Sequence, residues 1–315
     1  MTTSFSIGAL VQWYEIDILS EYITTLQEAI KQYDNDKVLV DITLCTNQEL
    51  EQLEEGKTIL DIVDKFYRVV GKLNKNCTNI TVTDKLVTIS DYRRKFNSKY
   101  CNEVDVLIWG ETDLLVPKEE FIVLDYLHKA SNTEKYIATF AICKMWDNTW
   151  KNLEHPDFTD KPFIENDYDN WWSVKYTMNK EEMYKINAHT DQPEVIIMPE
   201  HKFNGCGLVI SSEVIKSGVN IPQSVFFVHE DTAFMLMLQK VLGKIPQYSI
   251  KNILNVHNRN HPNKRMYVKG ESGDTMNKRR RSNSWYIKAN KYSEENCYNL
   301  FNPNYKSKTW KDVWK

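Results

Sequence analysis

The 315-residue chain predicts an α/β fold, a mostly parallel sheet flanked by helices. Three observations predict it. Short, continuous apolar runs alternate with segments of helical period through the first half, as strand-helix-strand units do. Several of these runs end near carboxylates, and open α/β sheets bind ligands at the carboxyl ends of their strands. A content of 42% hydrophobic and 26% charged residues is that of a globular chain able to bury one large domain or two smaller ones.

The elements follow in order. Phe5 to Val11 is the first strand, with a loop at Trp13 to Glu15. Residues 17–33 place Ile18, Leu19, Tyr22, Ile23, Leu26 and Ile30 on one helical face. Val38 to Leu44 is a second, buried parallel strand with Asp41 near its C-terminal end. Gln48 to Gly56 and residues 58–73 are expected to be helical, and Ile80 to Ile89 an irregular strand or strand pair. Asp91 to Tyr100 is a helix, basic at Arg93, Arg94, Lys95 and Lys99; the fourth strand is Val104 to Trp109. After Pro117 a helix, Lys118 to Lys129, leads to a strand at Tyr136 to Ile142. Residues 146–193 are aromatic and acidic, with Trp146, Trp150, Trp171 and Trp172, and form either an excursion that covers the site or an irregular surface subdomain with aromatic anchors. Strand-like Glu194 to Met198 precedes the Phe203 to Ile210 run, and Val225 to Val228 enters a helix through Leu242 with strand character. The last forty residues are basic and aromatic without a strong period.

Several function classes are disfavoured. A net charge of −3 gives no global pull toward nucleic acid. Six scattered cysteines without a C-x-x-C pair argue against a zinc ribbon or disulfide scaffold and for a reducing cytoplasm. No signal peptide is apparent, and no apolar stretch approaches the roughly 18 residues a membrane span needs. The P-loop, the G-x-G-x-x-G dinucleotide loop and the G-x-S-x-G elbow are missing, which disfavours kinases, dinucleotide oxidoreductases and serine hydrolases.

The informative motif is Glu111-Thr112-Asp113, directly after the fourth strand. Side chains at i and i+2 of an extended chain point the same way, so Glu111 and Asp113 can face one point. Two hard oxygen donors there suit Mg²⁺ or Mn²⁺ against a substrate diphosphate; a plain polar turn is the alternative. Two more clusters stand at predicted element ends, His229-Glu230-Asp231 and the His257 to His261 segment. Glu230 and Asp231 also suit a helix N-terminus simply as acids favoured by the macrodipole. The turn Phe203-Asn204-Gly205-Cys206-Gly207 lets backbone approach a ligand closely. Lys278-Arg279-Arg280-Arg281, followed by Trp285 and Tyr286, is either a solvated charged loop or a phosphate-and-base patch.

In order and context these motifs resemble the nucleotide-sugar glycosyltransferases of the GT-A fold, family 2 type, over roughly residues 4 to 268. The resemblance implies a GT-A domain at 1–268, with a nucleotide-sugar half at 1–116, an acceptor half at 117–268 and a basic aromatic extension at 269–315. It implies that Val11, Gln12, Tyr14, Glu15 and Asp41 hold the nucleotide with Arg94, Asn97, Glu111 and Thr112, and that Arg259 and Arg265 neutralise its diphosphate. Glu111 stands where the family carries an Asp, which makes Asp113 the securer metal ligand, with His257 or His261 as a third, His257 favoured by its place at a strand end. Asp231, with Glu230 beside it, is implied as the general base of an inverting transfer. Gly205, Trp171, Trp172 and Lys278 to Arg281 are the implied acceptor side. The donor is a nucleoside-diphosphate sugar, UDP-sugar favoured. The acceptor hydroxyl belongs to a glycan, a small molecule or a hydroxylated cytosine in DNA; the last enters because the Lys/Asn/Ile-rich usage is similar in style to bacteriophage DNA-modifying glycosyltransferases, and such an enzyme works in the host cytoplasm and must reach or flip its base. A nucleotidyltransferase and a non-catalytic DNA-binding protein are the competing expectations. The first lacks a cation near Ile7 to Leu10; the second predicts no effect of Asp113 or Asp231 on turnover.

Overall fold

The structure, a computed structural model, describes residues 2–50, 53, 56–131, 134–142, 148–159, 178–188, 192–198, 203–258 and 284–315. Along the chain these form β1 (Phe5–Gln12), α1 (Leu19–Lys31), β2 (Val38–Cys45), α2 (Ile59–Val70), β3 (Thr78–Thr83), α3 (Ile89–Tyr100), β4 (Val106–Trp109), β5 (Leu114–Leu115), α4 (Glu120–Ala130) and β6 (Ile137–Ala141). There follow α5 (Pro156–Thr159), α6 (Lys180–Asn187), β7 (Val195–Ile197), β8 (Leu208–Ser211), α7 (Ser212–Lys216), α8 (Glu230–Leu242), β9 (Gln247–Leu254), β10 (Val256–His257), α9 (Ser284–Tyr298) and a short helix, Trp310–Val313.

Eight strands form one sheet in the order β3-β2-β1-β4-β8-β6-β9-β7. The first four are parallel, as the strand-helix alternation predicts. β8 is antiparallel to both its neighbours, β6 and β9 are parallel, and β7 closes the edge antiparallel. Side-chain alternation assigns the two faces. Ile7, Ala9, Val11, Val40, Ile42, Leu44 and Ile108 point into the core shared with α1, α2 and α4. Leu10, Cys45, Leu107 and Trp109 point into the other, shared with α3, α7 and α8. Asp41 shares the parity of Cys45, so it faces α3. No disulfide joins the described cysteines. Among the described residues no helix is long and apolar enough to cross a membrane.

Four local expectations differ from the structure. No helix forms at the described residues of 48–56. The third strand stops at Thr83, and Ile89 opens a helix because Thr88 caps it, accepting from the Asp91 amide. Val225 to Val228 is not a strand; Phe226 and Phe227 instead pack against Trp285, Ala289 and Val313. The C-terminal segment contains a 15-residue helix, α9. Beyond Trp285, its buried positions Ala289, Ser293, Asn296 and Cys297 are small or polar, so most of its packed face leaves little trace in hydropathy.

Candidate active site

The site lies at the C-terminal end of β4, where the chain leaves the sheet through Gly110 and turns at Glu111 to Asp113. Directly after the turn, β5 pairs antiparallel with β10 in the register His257↔Leu114 and Val256↔Leu115. The Asn258 amide donates to the Asp113 carbonyl at 2.8 Å, continuing that ladder. This small sheet fixes the imidazole beside the turn. His257 Nε2 lies 3.2 Å from Glu111 Oε2 and 3.3 Å from Asp113 Oδ2. The three residues expected to hold a metal therefore meet.

Two residues join them that the sequence expectation did not place there. The first is Arg93, on α3. Its guanidinium is buried, stacks over Trp109 at 4.8 Å and donates to Glu111 Oε1 at 2.5 Å and to the Gly205 carbonyl at 2.9 Å. Its other terminal nitrogen pairs with Glu230 Oε1. One guanidinium thus spans the carboxylate turn and the start of α8. The second is Cys206, whose Sγ lies with a Glu111 oxygen and a His257 nitrogen in a cluster within 4.8 Å.

The electrostatics follow from this crowding. Burial acts to raise Glu111, but His257 and Arg93 outweigh it and hold the carboxyl down at about 2. Burial disfavours the His257 cation, yet Cys206, Asp113 and Glu111 push its pKa well above the ordinary value. Burial is also the main reason Glu230 rises to about 7, opposed by Arg93 and reinforced by Asp231.

The donor set fits a divalent ion. Ligand atoms on one ion at bond lengths of about 2.0–2.3 Å sit roughly 3–4.5 Å apart; His257 Nε2 stands at that spacing from both carboxylates, and Cys206 Sγ lies within 4.8 Å of the Glu111 and His257 ligand atoms. Protons and an ion compete for the same lone pair of His257.

On the far side of Arg93, α8 starts from His229, the one described non-glycine residue with positive φ (68°). That turn throws Glu230 inward to Arg93 and leaves Asp231 half-buried, accepting from the Thr232 amide. The loop ahead of it is braced by α9: Ser293 bonds both the carbonyl and the amide of Val228, and Asn296 donates to the Ser224 carbonyl. The C-terminal helix therefore braces the loop that leads into α8.

The other expected residues divide into three groups. Gln12, Glu15 and Thr112 lie together: the Thr112 hydroxyl donates to Glu15 Oε2 at 3.2 Å, and Gln12 Nε2 donates to the Val87 carbonyl at 2.9 Å. Val11 and Tyr14 flank them but are buried. Three expectations need correction. Asp41 lies mid-strand rather than at the end of β2, and Asn79, Tyr92, Lys99 and Tyr100 all donate to its carboxylate. Arg94 points away, donating to the carbonyls of Ile221, Pro222 and Val225. Asn97 is buried between the Trp109 indole N–H and Asn220. The physical reason is helical phase. Tyr92, Phe96 and Tyr100 set the buried stripe of α3, which brings the adjoining Arg93 and Asn97 inward and leaves Arg94 at its margin. That stripe was the sequence signal for Arg93. Trp171, Trp172, Arg259, His261, Arg265, Lys278, Arg279, Arg280 and Arg281 lie outside the described residues.

No protein-family model matches the chain, and no curated protein matches it. Solved structures do. The crystal structure of S. aureus TarS 1–349 aligns with a TM-score of 0.46 at 11% identity, over 95% of this chain and 72% of that one. The same fragment in complex with UDP aligns with a TM-score of 0.46, and in complex with UDP-GlcNAc with 0.43, both at 11% identity. These alignments cover 95% and 96% of this chain and 75% and 76% of those. Likeness at that level assigns no chemistry, which rests on the residues themselves.

Proposed function

We propose that the chain is a metal-dependent glycosyltransferase that moves a sugar, with inversion, from a nucleoside-diphosphate sugar to an acceptor hydroxyl. The observation that carries the proposal is the meeting of Glu111, Asp113 and His257 at a strand end, joined through Arg93 to the carboxylates that open α8. Glu111, Asp113 and His257 would hold a divalent ion, Mn²⁺ or Mg²⁺, which when bound offsets charge on the departing diphosphate. Gln12, Glu15 and Thr112 line the approach to the turn and suit the nucleoside end of the donor. Asp231, exposed enough to meet an acceptor, takes the proton from the attacking hydroxyl. Glu230 stays on Arg93 and positions the start of α8. A single in-line displacement inverts the anomeric carbon.

Thermal shift and donor hydrolysis across UDP-, GDP- and CMP-sugars, with and without Mn²⁺, test this reading. One donor should raise the melting temperature only with metal, and Asp113→Asn should abolish the rise and lower turnover about 10²-fold or more. No response to any donor in either condition sinks the proposal and favours a non-catalytic binding protein. The acceptor rests on sequence resemblance alone; DNA bearing hydroxylated cytosine belongs in the acceptor panel beside glycans and small alcohols.

A further inference from the structure

The carboxylate turn and His257 leave one neighbour of a different chemical kind, the thiol of Cys206. Its Sγ lies within 4.8 Å of both a Glu111 oxygen and a His257 nitrogen, and the residue is buried at 4% exposure. The turn that presents it admits little else. A Cβ on Gly205 would collide with the Arg93 guanidinium, and one on Gly207 with the Asn255 amide. Gly207 also has φ +69°, in the left-handed region that favours glycine. The Gly207 amide donates to the Trp109 carbonyl at 2.8 Å, and the Cys206 amide donates to Asn204 Oδ1 at 2.8 Å. The turn is thus clamped to the end of β4, to Arg93 and to the residue that precedes β10. Those are the same three supports that place Glu111 and His257.

We infer that Cys206 is a fourth ligand of the metal site, making a carboxylate–imidazole–thiolate centre that prefers Zn²⁺ or Co²⁺ to Mg²⁺. This inference rests on the metal-dependent reading above and sharpens it. Sulfur is a soft donor, matched to zinc and cobalt and poorly matched to magnesium, which keeps oxygen ligands and water. The thiol proton leaves to solvent as the sulfur–metal bond forms. An all-oxygen site would have been served by serine in the same turn.

Titration of the full-length protein with Co²⁺, followed by absorption, tests the assignment. The wild type should show a near-ultraviolet thiolate-to-cobalt charge-transfer band at one equivalent, removed by excess Zn²⁺ and untouched by Mg²⁺. Cys206→Ser and Cys206→Ala should lose the band and bind Co²⁺ about tenfold or more weakly, with the Zn²⁺-over-Mg²⁺ preference narrowed. X-ray absorption of the zinc-loaded wild type needs no variant: one sulfur at about 2.3 Å is expected. A shell of oxygen and nitrogen only, or a band that persists in both variants, overturns the role of Cys206 while Glu111, Asp113 and His257 stand as ligands. Failure of the wild type to bind Co²⁺ or Zn²⁺ while Mn²⁺ still binds overturns the inference alone, and failure to bind any of the three overturns the metal-dependent reading with it.

Discussion

Two buried carboxylate sites sit on the α3 side of the sheet and are built in opposite ways. Asp41, in the middle of β2, is surrounded by donors: the Tyr100 hydroxyl at 2.6 Å, Asn79 Nδ2 at 2.7 Å, the Tyr92 hydroxyl at 2.9 Å and Lys99 Nζ at 3.1 Å. Every contact is attractive, and little is left over for a ligand. At the end of β4 the chain instead gathers Glu111 and Asp113 on one imidazole, with Glu230 drawn in by the same arginine. These like charges are held together by the Arg93 guanidinium and the His257 imidazole. A satisfied carboxylate marks architecture, and a crowded set marks a site.

The sharpest way to break that contrast is at Asp231. If the crowded set is catalytic, Asp231→Asn should lower kcat about 10²–10⁴-fold while leaving metal binding and the KM for donor unchanged. Activity retained in Asp231→Asn but lost in Glu230→Gln would move the base to Glu230.

Arg93 is the next test. Replacing it by Met leaves Glu111 and Glu230 without their shared counter-charge, and breaking a buried pair from one side costs about 3–5 kcal/mol. The urea midpoint should fall accordingly at unchanged slope, and Glu230→Gln in the same chain should restore part of the loss. An Arg94→Met protein should keep its carboxylate turn, because that side chain serves the Ile221 to Val225 loop.

The difference between these two arginines shows how much of the molecule was legible. The parallel half of the sheet was, because continuous apolar strands alternate with strongly periodic helices. The meeting of Glu111, Asp113 and His257 was anticipated through the family resemblance, which implied a late histidine beside the carboxylates; its place after an apolar run favoured His257 over His261. Arg93 and Arg94 are adjacent in sequence, and only the phase of Tyr92, Phe96 and Tyr100 decides which turns inward. Asp41 was misplaced because an apolar run does not say where its strand stops: β2 continues through Cys45. Cys206 was hidden because its neighbours come from β4, α3 and β10, and only tertiary packing brings them to one turn.

Asp41 itself gives a smaller effect of a different kind. Asp41→Asn turns an acceptor into a donor facing four donors, so stability should drop about 2–3 kcal/mol with the KM for donor unchanged. A raised KM with unaltered stability would return Asp41 to the nucleotide site.

Glu120 tests the contrast from a third side. This first residue of α4 is fully buried, and neither carboxyl oxygen has a hydrogen-bond partner among the described residues. It has neither the donors of Asp41 nor the cations of Glu111, and burial alone pushes its pKa from 4.5 up to about 8. The sign follows from linkage. A group whose folded pKa lies above its unfolded value stabilises fully below the unfolded value, and that stabilisation is lost as pH rises toward the folded one. The wild type should therefore lose stability between about pH 5 and 7, on the order of 2–3 kcal/mol from this residue, and Glu120→Gln should flatten that slope. An unchanged slope would mean that Glu120 finds a charged partner in solution. Burial without donors would then not be enough to keep a carboxyl neutral in this core, and the line drawn between Asp41 and Glu111 would rest on cations alone.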